Sequence, residues 1–372
     1  MDSQSKKVFV GLSGGVDSAV SAALLKERGF DVVGVFIKIW SPEWLGCTSR
    51  EDRLDAMRVA AYLNIPFREI DLTEEYKKEV VDYMIREYKL GRTPNPDVFC
   101  NKYIKFGVFF DWAIREGADF VATGHYARIK KEGDVFQMFA GADQGKDQSY
   151  FLWTLGQKQL SKTFFPVGDL EKTEVRRLAE KFKLPNAERR DSQGLCFVGP
   201  VDVKEFLAQY IPQKRGDVLD EKGKVIGNHK GALFFTIGER HGFTITEKTP
   251  NDAPYFVVAK DMEKNTITVK TKNTEAASGQ FRARKSERSA QARNCPLAAE
   301  DLSVKISQTN WIAEKPKAGG KYTARVRHLG VRAPVLFDSN KIIFDEPVVV
   351  ASGQSLVLYD GDICLGGGIV ES

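Results

Sequence analysis

Apolar and polar positions in the first third of the chain follow two alternating periods. Short continuous apolar runs, typical of buried parallel strands, occupy residues 8–12, 32–39, 65–70 and 119–123. Stretches with helical spacing occupy residues 18–28, 50–63, 74–88 and 106–116, and Gly29 and Gly117 end the first and last of them. Strands that alternate with helices predict an α/β fold, a parallel sheet with helices on both faces.

The pattern changes after residue 123. One further helix is expected over 172–182, with Thr173 as its cap and Pro185 beyond its end. Short β-type runs then occupy 218–226, 255–259, 266–269, 302–306, 322–327, 334–337, 341–344, 348–350 and 355–359. This spacing predicts small β structures, a barrel or a sandwich. We therefore expect three domains: an α/β catalytic domain over 1–210, a central β-rich domain over 211–278 and a C-terminal β-barrel over 279–372.

A glycine-rich turn joins the first predicted strand to the first predicted helix. It reads Gly11, Leu12, Ser13, Gly14, Gly15, Val16, Asp17, Ser18. Glycines let the backbone approach an anion closely and adopt positive φ, and a helix N-terminus favours negative charge. No Lys follows the glycines, so this is not the common GxxxxGK[ST] loop. We predict an ATP phosphate loop in which Asp17 either caps the helix or lies near Mg²⁺.

Charge is distributed unevenly along the 372 residues. The formal net charge is +5, yet residues 281–332 hold 12 Lys and Arg against 4 Asp and Glu. A basic segment favours a polyanionic partner, for which nucleic acid is the common choice, although a solvated basic face remains the alternative. No apolar stretch is long enough to span a membrane and no secretory signal precedes the first strand, so the expected location is cytoplasmic.

Five cysteines at 47, 100, 196, 295 and 364 contain no Cys-x-x-Cys pair and no zinc spacing. Cys100 follows two prolines in the loop 93–101, just ahead of an expected helix from residue 103, and Cys196 lies between Gly194 and Gly199. A helix N-terminus lowers the pKa of a thiol. Each cysteine alone reads as a small buried hydrophobe. Together, beside an ATP loop, they favour a pair that carries and resolves a persulfide. Cys47 and Cys295 read as incidental, and Cys364 as buried.

The loop Ser13-Gly-Gly-Val-Asp-Ser18 resembles that of the N-type ATP pyrophosphatases, or PP-loop enzymes, which cleave ATP between its α and β phosphates. Further motifs are similar to those of the tRNA-specific 2-thiouridylases (MnmA/TrmU type). These motifs occupy residues 11–18, 93–101, 122–126, 146–152, 194–197, 237–241, 324–328 and 359–368, and so extend over nearly the whole chain. One residue departs from the family pattern: Glu239 stands where Gln is usual.

The resemblance implies a PP-loop ATP pyrophosphatase fold for the first domain and a set of site residues. Catalytic roles fall to Cys100, Cys196 (the persulfide carrier) and Asp97. ATP binding falls to Gly11, Leu12, Ser13, Gly14, Gly15, Val16, Asp17, Ser18, Ile37 and Gly124. The target base would contact Asn95, Pro96 and Asp97. The tRNA would contact His125, Lys146, Asp147, Gln148, Arg327, His328 and Gln354.

The implied reaction is 2-thiolation of the wobble uridine in the anticodon loop of tRNA. ATP and Mg²⁺ would adenylate O2 of the base, and a cysteine desulfurase or sulfur-relay protein would supply persulfide sulfur. Three alternatives stay open: an amidotransferase-type synthetase that uses nitrogen, a non-catalytic RNA-binding protein with ATP as a structural ligand, and a metal-cluster mechanism. His125 and His328 also have a structural alternative, as satisfied histidines of the protein interior.

Overall fold

A computed structural model describes residues 5–44, 48–190, 202–246, 253–271 and 302–371. The strands, in chain order, are β1 Lys7–Gly11, β2 Asp31–Lys38, β3 Phe67–Asp71, β4 Phe120–Ala122, β5 Ala127–Glu132, β6 Val135–Ala140, β7 Thr163–Phe164, β8 Gly216–Leu219, β9 Val225–His229, β10 Phe243–Ile245, β11 Tyr255–Asp261, β12 Thr266–Thr271, β13 Ser303–Trp311, β14 Gly320–Arg325, β15 Ala333–Asp338, β16 Lys341–Phe344, β17 Ser355–Asp360 and β18 Ile363–Val370.

The α-helices are α1 Val16–Glu27, α2 Thr48–Tyr62, α3 Thr73–Tyr76, α4 Tyr83–Lys89, α5 Pro96–Phe99, α6 Phe109–Arg115, α7 Gln157–Leu160, α8 Lys172–Lys181 and α9 Val203–Ala208. Two π-helical segments, Lys77–Asp82 and Cys100–Val108, join α3 to α4 and α5 to α6. Short 3₁₀ turns lie at Ser149–Phe151 and Ala232–Phe234.

The first sheet is parallel, with strand order β3-β2-β1-β4-β7. Val8 and Val10 of β1 pack in one apolar cluster with α1, whereas Phe9 packs in the cluster on the opposite face. Burial on both faces explains why β1 reads as a continuous apolar run rather than an alternating one. The α/β fold predicted for this part of the chain is confirmed.

Two further sheets follow. The central one has the order β10-β9-β8-β12-β11, around a core that includes Val218, Val257 and Ile267. In the last one, β13 pairs with both β16 and β18, so the six strands from β13 to β18 close into a barrel. The predicted C-terminal β-barrel is therefore confirmed, and the sandwich alternative is excluded.

A hairpin from the first domain extends the barrel sheet. Strands β5 and β6 turn at Gly133, which has a φ of +60°. Strand β6 pairs with β18 through Phe139 with Ile363 and Met138 with Cys364. No strand was predicted between residues 123 and 216, so this link between the first domain and the barrel is new information from the structure.

Several predicted elements differ from the structure. The helix expected over 106–116 belongs to a helical segment that starts at Pro96, so Cys100 lies inside that segment rather than ahead of it. Residues 348–350 have no strand partner and are irregular. Thr173 is not the cap of α8, because Glu171 occupies that position without a side-chain hydrogen bond.

Other predicted features lie outside the described residues: Cys47, Cys196, Cys295, the domain boundary near 278 and residues 281–301 of the basic segment. The boundary near 210 falls between α9 and β8, and both boundaries stay predictions. Among the described helices, none has the length and apolar character that crossing a membrane requires.

Candidate functional site

The turn between β1 and α1 has the geometry of an anion-binding loop. Gly14 has a φ of +78°, and a Cβ there would lie 2.5 Å from the carbonyl oxygen of Asp52. Gly15 has a φ of −78° and precedes the first residue of α1, so only Gly14 uses the left-handed region. The hydroxyls of Ser13 and Ser18 lie 3.3 Å apart across the turn. Backbone N–H groups and hydroxyls thus converge at the N-terminus of a twelve-residue helix.

Two side chains from the residues after α8 hold this turn in place. Asn186 donates from Nδ2 to the carbonyl of Gly14 at 2.7 Å, and Arg189 donates to the same carbonyl at 3.4 Å. Arg189 also forms ion pairs with Asp52 and with Asp55 of α2. The Gly14 carbonyl is therefore fixed by these donors, while the amides of Ser13 and Gly15 donate to the hydroxyls of Ser18 and Ser13.

Asp17 has two close partners that sequence reasoning missed. Its Oδ1 accepts a hydrogen bond from the Tyr126 hydroxyl at 2.7 Å and lies 2.6 Å from Nζ of Lys172. The Lys172 side chain is largely buried, with 13% of it exposed. A Lys as the first residue of a helix opposes the helix dipole. A lysine at the start of a predicted helix was therefore the sequence signal that could have identified Lys172 as a functional residue. In the structure, Lys172 places a positive charge beside the phosphate loop.

The other two residues predicted to bind ATP lie at the same edge of the sheet. Ile37 is near the end of β2, and Gly124 follows β4. A Cβ on Gly124 would lie 2.7 Å from the carbonyl carbon of Asp17 and from the amide of Ser18, so its backbone packs directly on the first turn of α1. The carboxyl ends of parallel strands form the usual ligand edge of such a sheet.

A second feature is a cleft of about 350 Å³ between the first domain and the barrel. It brings together residues that are more than 200 positions apart in the sequence. Those predicted for the target base and for tRNA that line it are Asn95, Pro96, Asp97, Arg327, His328 and Gln354. Asn95 caps α5 by accepting from the amide of Val98, which orients the loop.

Aromatic rings form one wall of this cleft. The His328 ring lies on Phe151 with a centroid distance of 4.3 Å and an interplanar angle of 35°. Burial lowers the pKa of His328 to about 4, so the ring is neutral at pH 7. Arg327 beside it is exposed. The wall therefore offers a neutral aromatic surface next to the positive charge of Arg327.

Cys100 is buried, with 2% of its surface exposed. Its neighbour Asn101 donates from Nδ2 to the carbonyl of Phe151 at 3.3 Å, which connects the cysteine segment to the cleft. Burial raises the pKa of Cys364 to about 12, and its predicted burial is confirmed. The geometry between Cys100 and Cys196 lies outside the described residues.

Four residues predicted to contact tRNA lie elsewhere. His125 is buried between Phe106 and Phe165 with its Nδ1 2.7 Å from the Thr123 hydroxyl, and burial lowers its pKa. Asp147 is fully buried. Gln148 accepts from the amide of Tyr126, and Lys146 is half-buried. Direct RNA contact stays a prediction for all four, and burial disfavours it for His125 and Asp147.

Glu239 contacts protein groups in this structure. It forms an ion pair with Lys204 of α9 and accepts from the amide of Thr236 at 3.0 Å. Both residues line a cleft of about 410 Å³ that adjoins the first cleft at Arg327 and Gln354. The negative charge of Glu239 is therefore compensated. Within the described residues, no group of three or more His, Cys, Asp or Glu could hold a metal ion.

Comparison with known proteins identifies the family. The chain is 44% identical to a tRNA-specific 2-thiouridylase MnmA from Thiobacillus denitrificans, over 98% of this chain and 99% of the relative. It is 43% identical to a protein of the same name from Listeria monocytogenes, over 98% and 95%. The chain belongs to the tRNA-specific 2-thiouridylase family.

Family models divide this 2-thiouridylase family member into three parts. Residues 6–200 match a tRNA methyl transferase HUP domain, 204–271 a tRNA methyl transferase PRC-barrel domain and 301–370 an aminomethyltransferase β-barrel domain. Among solved structures, the U34-tRNA thiolase NcsA from Methanococcus maripaludis is 23% identical over 56% of this chain and 68% of that one, with a TM-score of 0.35. So distant a likeness adds no argument.

Proposed function

We propose that this protein is an ATP-dependent tRNA-uridine 2-sulfurtransferase that thiolates the wobble uridine of tRNA. The observation that carries the proposal is the cleft that joins the Asn95–Asp97 loop to Arg327, His328 and Gln354 of the barrel region. Family membership and the phosphate loop on β1 and α1 support it. A wobble base lies in a single-stranded loop, so it can leave its stack and enter such a cleft.

The phosphate loop and the strand edge supply the ATP site. Gly11 to Ser18 bind the phosphates, while Ile37 and Gly124 lie where the adenine and ribose approach the sheet. Asp17 is the residue that would hold a Mg²⁺ ion at this loop, since Mg²⁺ is commonly bound by one or two carboxylates together with substrate phosphates. Bound there, Mg²⁺ would neutralise phosphate charge. Lys172 would compensate the Asp17 carboxylate when nucleotide is absent.

The first half-reaction makes the O2 atom of uridine a leaving group. O2 attacks the α-phosphorus of ATP, the bond to the β-phosphate oxygen breaks, and pyrophosphate leaves. Asp97 lines the cleft and is the group we assign to take the N3 proton of uridine as O2 attacks. The product is an O2-adenylated base, which must be shielded from water because hydrolysis would return uridine.

The second half-reaction brings in sulfur. A persulfide on Cys196 attacks C2 through its terminal sulfur, and AMP leaves with the original oxygen. The Cys100 thiolate then attacks the Cys196 sulfur, which breaks the sulfur–sulfur bond, releases 2-thiouridine and leaves a Cys100–Cys196 disulfide. An external dithiol must reduce that disulfide. A cysteine desulfurase or a sulfur-relay protein reloads Cys196.

The test is mass spectrometry of tRNA from cells that lack the gene and carry plasmid-borne variants. Wild type should restore 2-thiouridine at the wobble position. Cys100→Ser should not, whereas Cys364→Ser, a matched change at another buried cysteine, should. Unchanged 2-thiouridine without the gene would exclude the proposal, and loss of a methyl group instead would favour methyl transfer. Full activity of a Cys100→Ser, Cys196→Ser double variant would revive the nitrogen-transferring alternative.

A further inference from the structure

We propose that Asp147 is a positioning residue: through a buried ion pair it holds the β14–β15 turn (residues 326–332) over the base-binding cleft, without touching tRNA. The inference rests on the proposed function for the identity of the substrate. It gives a positioning role to the segment that follows β6 and carries Asp147.

All the hydrogen-bonding capacity of Asp147 is directed into the protein. The residue is 0% exposed. Its Oδ1 accepts from the amides of Gly141 and Ser149, each at 3.0 Å. Its Oδ2 lies 2.6 Å from Nη1 of Arg325, itself buried, and 3.9 Å from Nη2 of Arg332. A carboxylate with these partners has little capacity left for RNA, and its charge would repel phosphate.

Arg325 connects Asp147 to the β14–β15 turn. Its Nε donates to the carbonyl of Gly330 at 3.0 Å, across the turn from its own position. At the other end of the turn, the Arg332 guanidinium lies 4.0 Å from the ring centroid of Tyr359. The Tyr359 hydroxyl is 3.1 Å from that of Ser149, two residues after Asp147. Both ends of the turn are thus attached to the segment that carries Asp147.

The held turn carries the groups that face the cleft. Arg327 and His328 lie between the two anchored arginines and line the cleft. Leu329 adopts a φ of +54°, a conformation that non-glycine residues rarely take without support from their surroundings. Removal of the Asp147 charge leaves the buried Arg325 guanidinium without its anion, whereas Arg332 keeps Asp362 3.4 Å from its Nη1. The turn should therefore move to expose Arg325 to water.

The inference is tested by a double-mutant cycle on the affinity for unmodified tRNA, with wild type, Asp147→Asn, Arg327→Ala and the double variant. Each single change should weaken binding about tenfold, as loss of a charge-assisted contact does. In the Arg327→Ala background, Asp147→Asn should add less than about twofold, because both changes remove the same contact. Additive losses, or no loss with Asp147→Asn, would overturn the proposal.

Three controls distinguish a moved turn from other causes of weaker tRNA binding. Asp169→Asn, the same change at an exposed position, should leave affinity unchanged. ATP affinity should stay at the wild-type value in every variant, which separates a moved turn from a misfolded domain. If Asp147→Asn does not fold, Arg325→Lys replaces it in the cycle, since it keeps the charge but loses the bond to Gly330, and the same non-additivity is required. Absence of any tRNA binding by wild type would instead refute the proposed function.

Discussion

At the scale of single residues, the arrangement around Asp17 depends on a balance of charge. Its carboxylate stands in the first turn of α1, where phosphate is expected, and would repel it. Lys172 and Tyr126 both contact the same oxygen, Oδ1. The loop motif made Asp17 predictable, because its chemistry is local. Lys172 is 155 positions away, and only the fold brings it to the loop.

We predict that Lys172→Met weakens ATP binding by about tenfold or more, because a charged group next to the phosphates is lost. AMP affinity should fall much less if Lys172 faces the β and γ phosphates. Calorimetric titration with both nucleotides checks this, with Lys181→Met at the other end of α8 as the matched control. Equal losses for ATP and AMP would contradict a role at the outer phosphates.

At the scale of elements, sequence patterns identified those stabilised by neighbouring residues and missed those that depend on distant partners. Strand β1, the phosphate loop and α1 were predictable because apolar runs and glycines specify them locally. The β5–β6 hairpin was missed, since its outer partner β18 lies more than 200 residues further along the chain. Residues 348–350 have strand-like composition but no partner, so they form no strand.

The same scale explains the start of the Cys100 helix. Asn95 and Pro96 are a cap and a first helical residue, whereas the sequence pattern predicts a loop over the whole of 93–101, ahead of the helix. The cleft itself could be predicted only as a set of residues from the family resemblance. Its shape needs the barrel to lie against the first domain, which no local pattern encodes.

Contact between Gly124, which follows β4, and the first turn of α1 gives a prediction at this scale. Gly124→Ala should lower ATP affinity about tenfold and lower the melting temperature, because its Cβ would lie 2.7 Å from backbone atoms of Asp17 and Ser18 and must displace the phosphate loop. Gly156→Ala is the control, since the nearest atom to its Cβ is a flexible side-chain oxygen at 3.7 Å. Unchanged ATP affinity in Gly124→Ala would show that the nucleotide does not use this contact.

At the scale of the whole molecule, the loop that leads to Asn95–Asp97, the residues proposed to contact the base, is held by both β domains. Lys260 of β11 donates from Nζ to the carbonyls of Gly91 and Phe235, at 2.6 and 2.8 Å. Thr93 donates its amide to the carbonyl of Ser352 at 2.8 Å. The central domain therefore holds the loop before Asn95 from one side, and the barrel holds it from the other.

We predict that Lys260→Met lowers the thiolation rate while ATP affinity is retained, because the loop before Asn95 loses its tie to the central domain. Lys264→Met, on the same hairpin and exposed, is the control. A thiolation rate equal to that of wild type would refute the positioning role of Lys260.

The pH dependence of the free energy of unfolding gives an independent check that Lys260 is buried. Desolvation lowers the pKa of Lys260 from its ordinary 10.5 to about 8. Between these values the unfolded state binds more protons than the folded state, so this residue makes unfolding less favourable as pH rises from about 8 to 10. Denaturation by urea should show that rise in wild type relative to Lys260→Met. A constant difference across this range would mean that Lys260 is solvated.

The central claim is that one protein joins an ATP site to a base-binding cleft in order to replace O2 of a wobble uridine by sulfur. The most direct measurement is a reaction of purified protein with unmodified tRNA, ATP, Mg²⁺ and a persulfide source, followed by nucleoside mass spectrometry. The account predicts 2-thiouridine at the wobble position, with AMP and pyrophosphate formed in equal amounts and no product without ATP. Product formed without ATP, or ATP cleaved with no sulfur in the tRNA, would contradict it.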